Sequence, residues 1–80
     1  MKDLAEDEGW KNFVHNVTWL RESNGLSKKE MASILKIGMK TLERIENGEL
    51  PKRLSVNIFF RIWKHFGIHP VKQLKGYLDK

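Results

Sequence analysis

The stretch LSKKEMASILKIGMKTLERIENG, residues 26–48, contains two short helical patterns joined by a brief connection. Ser27 is followed three residues later by Glu30, and this capping box predicts the start of a helix. The apolar residues after it share one helical face, and they are Met31, Ala32 and Leu35. This helix is predicted to stop near Lys36.

A second helix is predicted from about Met39 to Asn47, where Gly48 is a typical C-terminal stop. Leu42 and Ile45 lie on its inward face. The connection before it is short, and Ala32 is small enough to let two helices cross closely. The stretch therefore predicts a helix-turn-helix.

The pattern is helical on both sides of this stretch as well. Residues 10–23 and 55–66 each carry apolar side chains at spacings of three and four, and the first of these segments is ended by Asn24-Gly25. Gly67 stops the second, and Pro70 opens a last short helix with Leu74 and Leu78 inward. Because no segment alternates with a period of two, the fold class is predicted to be all-α, a compact domain of five helices.

Composition narrows the class of protein. Eighty residues suit one domain, predicted here as residues 10–80 after an acidic tail at residues 1–9. The absence of cysteine excludes disulfides and thiolate metal sites and fits a reducing cytoplasm. No apolar run approaches the roughly 18 residues of a membrane span. We expect a cytoplasmic protein with no membrane partner.

Charge is distributed unevenly along the chain. The formal net charge is +5, but residues 1–9 hold one Lys against four acidic residues, so the remainder is more basic than the total implies. A basic body of this size favours a polyanionic partner such as nucleic acid. The acidic start is interpreted as a frayed end or as negative charge at the positive pole of the first helix, with a partner-contacting arm as an alternative.

Residues 26–48 resemble, without a gap, the helix-turn-helix of the phage-repressor (Cro and XRE type) DNA-binding family. LRESNGLS (residues 20–27) and FFRIWKHFGIHPVKQL (residues 59–74) are similar to its flanking helices, so the resemblance covers about residues 13–75. It implies a repressor-like domain that binds double-stranded DNA. Four positions depart from the family pattern: Lys28 for glutamine, Lys36 for the turn glycine, Gly38 for Ser or Thr, and Trp63 for alanine.

The outward side of the predicted recognition helix carries side chains that suit base edges. Arg44 is able to pair with guanine and Lys40 to reach guanine O6 or N7, while Met39 is able to cover a thymine methyl. Glu43 either accepts from cytosine N4 or orients its basic neighbours. Base contacts are thus expected from Met39, Lys40, Thr41, Glu43 and Arg44, four of which (all but Thr41) match base-contacting positions of the resembled family. The alternative is an ordinary solvated helix face.

Phosphate contacts are expected on either side of that helix, where they position the domain without reading sequence. The predicted contacts are Lys28, Lys29, Asn47, Lys52 and Arg53. The resemblance also implies a structural ion pair between Arg21 and Glu46, which would tie the first helix to the third.

Aromatic residues exceed what so small a core needs. Phe13, Phe59 and Phe66 are interpreted as core. Among the others, Phe60, Trp63 and Tyr77 form a possible homodimer surface, or else Trp10 and Trp63 cover one another.

The three histidines have no acidic or thiol companion at useful spacing, so we expect no metal, cofactor, small-molecule ligand or catalytic site. The sequence predicts a non-enzymatic, sequence-specific DNA-binding regulator of bacterial or mobile-element type. The alternative is a protein-interaction module, an antitoxin or adaptor, that uses the exposed aromatics.

Overall fold

The computed structural model describes residues 8–49, 51 and 54–79, and every regular element in this part of the chain is an α-helix. The helices are α1 (Glu8–Ser23), α2 (Lys28–Leu35), α3 (Met39–Glu46), α4 (Asn57–Phe66) and α5 (Pro70–Lys75). The predicted all-α fold with five helices is confirmed. Among these described residues, no helix has the length and apolar character needed to cross a membrane.

Each helix packs mainly against two others, in the ring order α1, α3, α2, α4, α5 and back to α1. The side chains that point into this ring form one core, because the apolar residues of each helix recur on a single face. The buried apolar residues are Trp10, Phe13, Val17, Leu20, Met31, Ala32, Leu35, Leu42, Ile45, Ile58 and Ile62. The ring places α2 and α3 side by side as a helix-turn-helix.

The first three helices end in the same way, with a single residue in the left-handed backbone region. These residues are Gly25, Lys36 and Gly48. After α2, the Ile37 N–H donates to the Ala32 carbonyl at 3.0 Å and the Lys36 N–H to the Ser33 carbonyl at 3.2 Å. The same pair of hydrogen bonds follows α1 and α3, which makes each end a Schellman motif. Each motif stops a helix and redirects the chain within a few residues.

Lys36 is the exception among these helix ends because it is not glycine. Within the described residues it alone has a positive φ, 56°, without being glycine. Its Cβ crowds the following carbonyl group in this conformation, at a cost of about 1 kcal/mol. The same helix end is bound by α4, since Nη1 of Arg61 donates to the Leu35 carbonyl at 3.1 Å.

Replacing Lys36 by glycine is expected to raise the free energy of unfolding by about 0.5–1 kcal/mol, since glycine accepts this conformation without strain. Lys36→Ala is the matched control, because it removes the charge and keeps the strained Cβ. Urea denaturation of the two variants measures the difference. Equal stability of the glycine and alanine variants would contradict the assignment of strain.

The predicted inward side of the last helix is wrong at one position. Leu74 is 37% exposed, whereas its neighbour Gln73 is 1% exposed and points into the fold. Nε2 of Gln73 donates to the carbonyl groups of Phe59 at 3.0 Å and Ile68 at 2.9 Å. The Gln73 amide thereby satisfies buried backbone acceptors, which leucine cannot do. Leu78 is half-buried and packs against the core, as expected.

A second buried amide, Asn16 of α1, holds the end of the chain. Its Nδ2 donates to the carbonyl groups of Gln73 at 2.9 Å and Gly76 at 2.8 Å. Its Oδ1 accepts from the Leu78 N–H at 2.8 Å. Three backbone groups at and beyond the end of α5 therefore depend on one side chain that is 1% exposed. The role of Asn16 was not predicted, although its spacing from Phe13 places it on the apolar face of α1.

Asn16→Ala is expected to lower the free energy of unfolding by about 2–4 kcal/mol, because it leaves several buried backbone groups without partners. Asn12→Ala is the control, since it removes a single, exposed hydrogen bond from Nδ2 to the Leu74 carbonyl (3.0 Å). Urea denaturation gives the stability, and amide hydrogen exchange at Leu78 reports whether the chain end has detached. Similar losses in both variants would show that Asn16 has no special role.

The aromatic residues include a group that packs in the core and a group that is exposed. Phe13 is fully buried, and Phe59 and Phe66 are half-buried against the core, as predicted. Trp10 is 5% exposed and its ring lies 5.5 Å from that of Phe13. The idea that Trp10 and Trp63 cover one another is wrong, because Trp63 is exposed and its described ring contacts lie elsewhere.

Candidate nucleic-acid interface

The inner side of α3 is fixed by burial. Leu42 and Ile45 are both completely buried in the core. With successive residues about 100° apart around a helix, these two positions define which side of α3 faces inward. The opposite side is directed to solvent by the same geometry.

Four polar residues occupy that outward side, and all four are exposed: Lys40, Glu43, Arg44 and Asn47. Met39, at the beginning of the helix, is 45% exposed, and Thr41 on the flank is partly buried. The structure thus brings the predicted base-contacting side chains onto one helix, with Thr41 the least accessible. Asn47 is the first residue after α3, and it is exposed beside them.

The charged side chains on this side have no intramolecular partner among the described residues. Lys40, Glu43 and Arg44 take part in no ion pair or side-chain hydrogen bond there. Glu43 does not orient Lys40 or Arg44 in this structure, so the second role expected for it is absent from the unbound domain. These donors and acceptors remain available to an external partner.

The start of α3 is equally open. Gly38 precedes the helix in an extended conformation and supplies no side-chain cap. The first helical bond joins the Leu42 N–H to the Gly38 carbonyl at 3.0 Å. Backbone N–H groups of the first turn therefore face solvent and add positive potential at this end of the helix.

The start of α2 is capped. The Glu30 N–H donates to Oγ of Ser27 at 3.0 Å, and the Ser27 N–H donates to the Glu30 carboxylate at 2.9 Å. The hydrogen bonds from the Ser27 backbone, and then from its side chain, lower the pKa of Glu30. Lys28 and Lys29 are exposed in the same turn. Because Ser27 and Glu30 already cap this helix start, an anion here would depend on the lysine side chains more than on the helix end.

The other two predicted phosphate contacts, Lys52 and Arg53, lie outside the described residues. Pro51 and Leu54 on either side of them are half-buried.

The ion pair between Arg21 and Glu46 is present and forms a fork. Nε and Nη2 of Arg21 donate to the two carboxylate oxygens of Glu46 at 2.8 and 3.0 Å. Nη1 also donates to the Leu26 carbonyl at 3.3 Å. Hydrogen bonding to Glu46 raises the pKa of Arg21, so the guanidinium stays charged. The pair joins α1 to the last turn of α3.

A second contact between these helices was not predicted. Nε1 of Trp10 donates to the carbonyl of Gly48, just after α3, at 3.3 Å. Trp10 and Arg21 thus hold the end of α3 from two points along α1. The signal in the sequence was slight, since a tryptophan at the start of an apolar face predicts burial but does not name its hydrogen-bond acceptor.

Glu46→Ala is expected to lower the melting temperature by several degrees, because Arg21 loses both carboxylate acceptors and remains largely buried. A cost of about 2–4 kcal/mol is typical when one partner of such a pair is removed. Glu46→Gln is the control, since it retains one acceptor at similar volume and is expected to lose less. A thermal melt with no shift for Glu46→Ala would rule out a structural role for the pair.

The three possible dimer residues are all exposed. Phe60 and Trp63 are neighbours on α4, with ring centroids 6.3 Å apart. The ring of Tyr77 stacks on His15 at 3.9 Å. Self-association through these residues remains a hypothesis.

The histidines serve local structure. Nδ1 of His69 accepts from the Val71 N–H at 3.1 Å, which caps the start of α5. Nε2 of His15 lies 3.0 Å from the Asp79 carboxylate. Sequence spacing did not indicate this pair, because its members are 64 positions apart. Among the described residues, no group of potential ligands is arranged to hold a metal ion.

The arrangement of α2 and α3 defines a helix-turn-helix domain whose second helix presents a polar outer side. A family model described as helix-turn-helix, of the XRE type, matches residues 17–73, which is most of the chain. The chain belongs to this helix-turn-helix family. The family is one of DNA-binding regulatory domains and not of enzymes. Comparison with curated proteins and with solved structures gives no significant match.

Proposed function

We propose that this protein is a sequence-specific double-stranded DNA-binding regulator that inserts α3 into the major groove. One observation carries the proposal: the outward side of α3 holds charged side chains that have no partner among the described residues, while its inward side is packed in the core. A recognition helix needs both properties, because base contacts require free donors and acceptors on a rigid support.

The residue types suit direct readout of bases. Arg44 supplies a planar guanidinium for O6 and N7 of guanine, and Lys40 supplies a second cation one turn away. Glu43 lies between them and accepts from cytosine N4, while Met39 covers a thymine methyl at the start of the helix. Thr41 lies on the flank of α3 and is partly buried. Its hydroxyl and methyl groups therefore contact the edge of the major groove.

Backbone contacts set the orientation of the domain on DNA. Lys28 and Lys29 at the start of α2 are placed to neutralise phosphates on one side of α3. Asn47, followed along the chain by Lys52 and Arg53, serves the other side. A small chain of this kind gains affinity when two copies bind adjacent half-sites, and the exposed Phe60 and Trp63 are the residues that we assign to such a homodimer.

The same two aromatics support the competing proposal, a protein-interaction module such as an antitoxin or adaptor for which DNA binding is secondary. The polar side of α3 is the reason to prefer DNA, since a surface for protein partners does not require two cations on this helix that lack a partner among the described residues.

Selection of bound sequences from randomised duplex DNA tests the proposal. The wild-type chain is expected to retain a defined motif. Lys40→Ala with Arg44→Ala is expected to abolish it and to weaken binding at least about 30-fold, at about 1–3 kcal/mol for each base contact. The matched control is Lys72→Ala with Lys75→Ala on α5, which removes the same charge. Retention of DNA without any motif, or no retention, favours the interaction module. Equal losses in the two double variants would mean that only net charge is felt.

A further inference from the structure

A second cationic feature lies on another part of the ring, at the seam between α2 and α4. It is an open groove of about 480 Å³. Its lining residues are Ser33, Ile34, Lys36, Arg61, Lys64 and His65. The lining contains three permanent cations and an imidazole but no carboxylate. A cleft lined by one sign of charge attracts ligands of the opposite sign.

The backbone at Lys36 gives an independent reason to regard this groove as a binding site. The chain uses glycine at the other helix ends in the left-handed region, and at this one it holds a lysine in a strained conformation. Non-glycine residues in this conformation are concentrated at functional sites, where strain is retained because the side chain is needed. The Lys36 side chain lines the groove, so its charge is the property that glycine would remove.

The other cations are partly fixed in place. Arg61 is half-buried and is held by the Leu35 carbonyl through Nη1, which leaves further guanidinium N–H groups for a ligand. Lys64 lies one residue before His65 on the exposed side of α4 and has no ion-pair partner among the described residues. The groove thus presents one guanidinium that is held in place, together with the ammonium groups of two lysines. This combination suits a ligand that carries several carboxylates.

The apolar surroundings indicate the class of ligand. Ile34 is half-buried in the groove wall, and Phe60, one helical turn before Lys64, is 53% exposed. Cations beside exposed apolar surface match a peptide that carries both carboxylates and apolar side chains. Single-stranded nucleic acid needs open aromatic faces for stacking, but the one ring in the lining, His65, already packs edge-on against Phe66 at 4.7 Å.

We infer that the groove between α2 and α4 binds an acidic, apolar-containing segment of a partner protein. The groove is formed by α2, α4 and the turn residue Lys36 and not by the outward side of α3, so we expect the segment and DNA to bind different surfaces. The inference does not require that the chain bind DNA, and it goes beyond the function proposed for α3.

Fluorescence anisotropy of a labelled peptide in which glutamates alternate with leucines tests the inference on the full chain. Saturable binding is expected, and Lys64→Glu is expected to weaken it at least about ten-fold, since reversing a charge in contact with the ligand changes attraction into repulsion. Lys11→Glu on α1 is the matched control, with the same charge change across the ring, and is expected to alter affinity less than about two-fold.

Lys36→Gly provides a readout that a purely structural role would not give. This variant is expected to be more stable than the wild type and yet to bind the peptide about three-fold or more weakly, which excludes misfolding as the cause. Unchanged affinity would overturn the role assigned to Lys36 and with it the inference.

Three further results would overturn the proposal. One is the absence of saturable binding, and a second is an equal effect of Lys64→Glu and Lys11→Glu, which would indicate attraction by net charge alone. The third is displacement of the peptide by an oligothymidine that itself binds more tightly, which would assign the groove to nucleic acid.

Discussion

The left-handed backbone at Lys36 is the constraint that organises the helix-turn-helix. It ends α2 with two backbone hydrogen bonds and lets α3 begin two residues after Ile37 closes the turn. The reversal is short and therefore restricts the placement of α3 relative to α2. The Leu35 carbonyl at the same helix end accepts a hydrogen bond from Arg61, so α4 is attached to the turn as well. Lys36, a non-glycine residue in the left-handed region, thus lies at the point where α2, α3 and α4 are positioned relative to one another.

The long helix α1 fixes the positions of the end of α3 and of the chain after α5. Arg21 and Trp10 both bind the end of α3, and Asn16 binds the chain beyond α5. These are polar contacts superimposed on an apolar core, and they supply the directional information that apolar burial lacks. Burial brings the helices together, whereas the hydrogen bonds from α1 specify where each neighbour lies along it.

Local patterns were sufficient for the helices, their ends and the outward side of α3. The capping box at Ser27, the glycine stops and the three-to-four spacing of apolar residues are all contained within one or two turns, so a single sequence reveals them. The contacts of Asn16 and Gln73 were missed, because they join distant parts of the chain and a buried amide looks like any surface amide in sequence. Leu74 was wrongly predicted to be buried, because a six-residue helix is too short for the spacing of its apolar residues to show which side faces inward. The predicted contact between Trp10 and Trp63 was wrong, because a count of aromatic residues does not show which of them are neighbours.

The separation of the two sides of α3 has a consequence for how this protein can diverge. Leu42, Ile45 and Glu46 carry the attachments to the rest of the fold, while Lys40, Glu43 and Arg44 have none among the described residues. Substitutions on the outward side therefore leave folding nearly unchanged. Under the proposed function, point mutations at these exposed positions change the DNA target while the architecture is inherited. Selection for stability and selection for DNA target would then act on different residues of a single eight-residue helix.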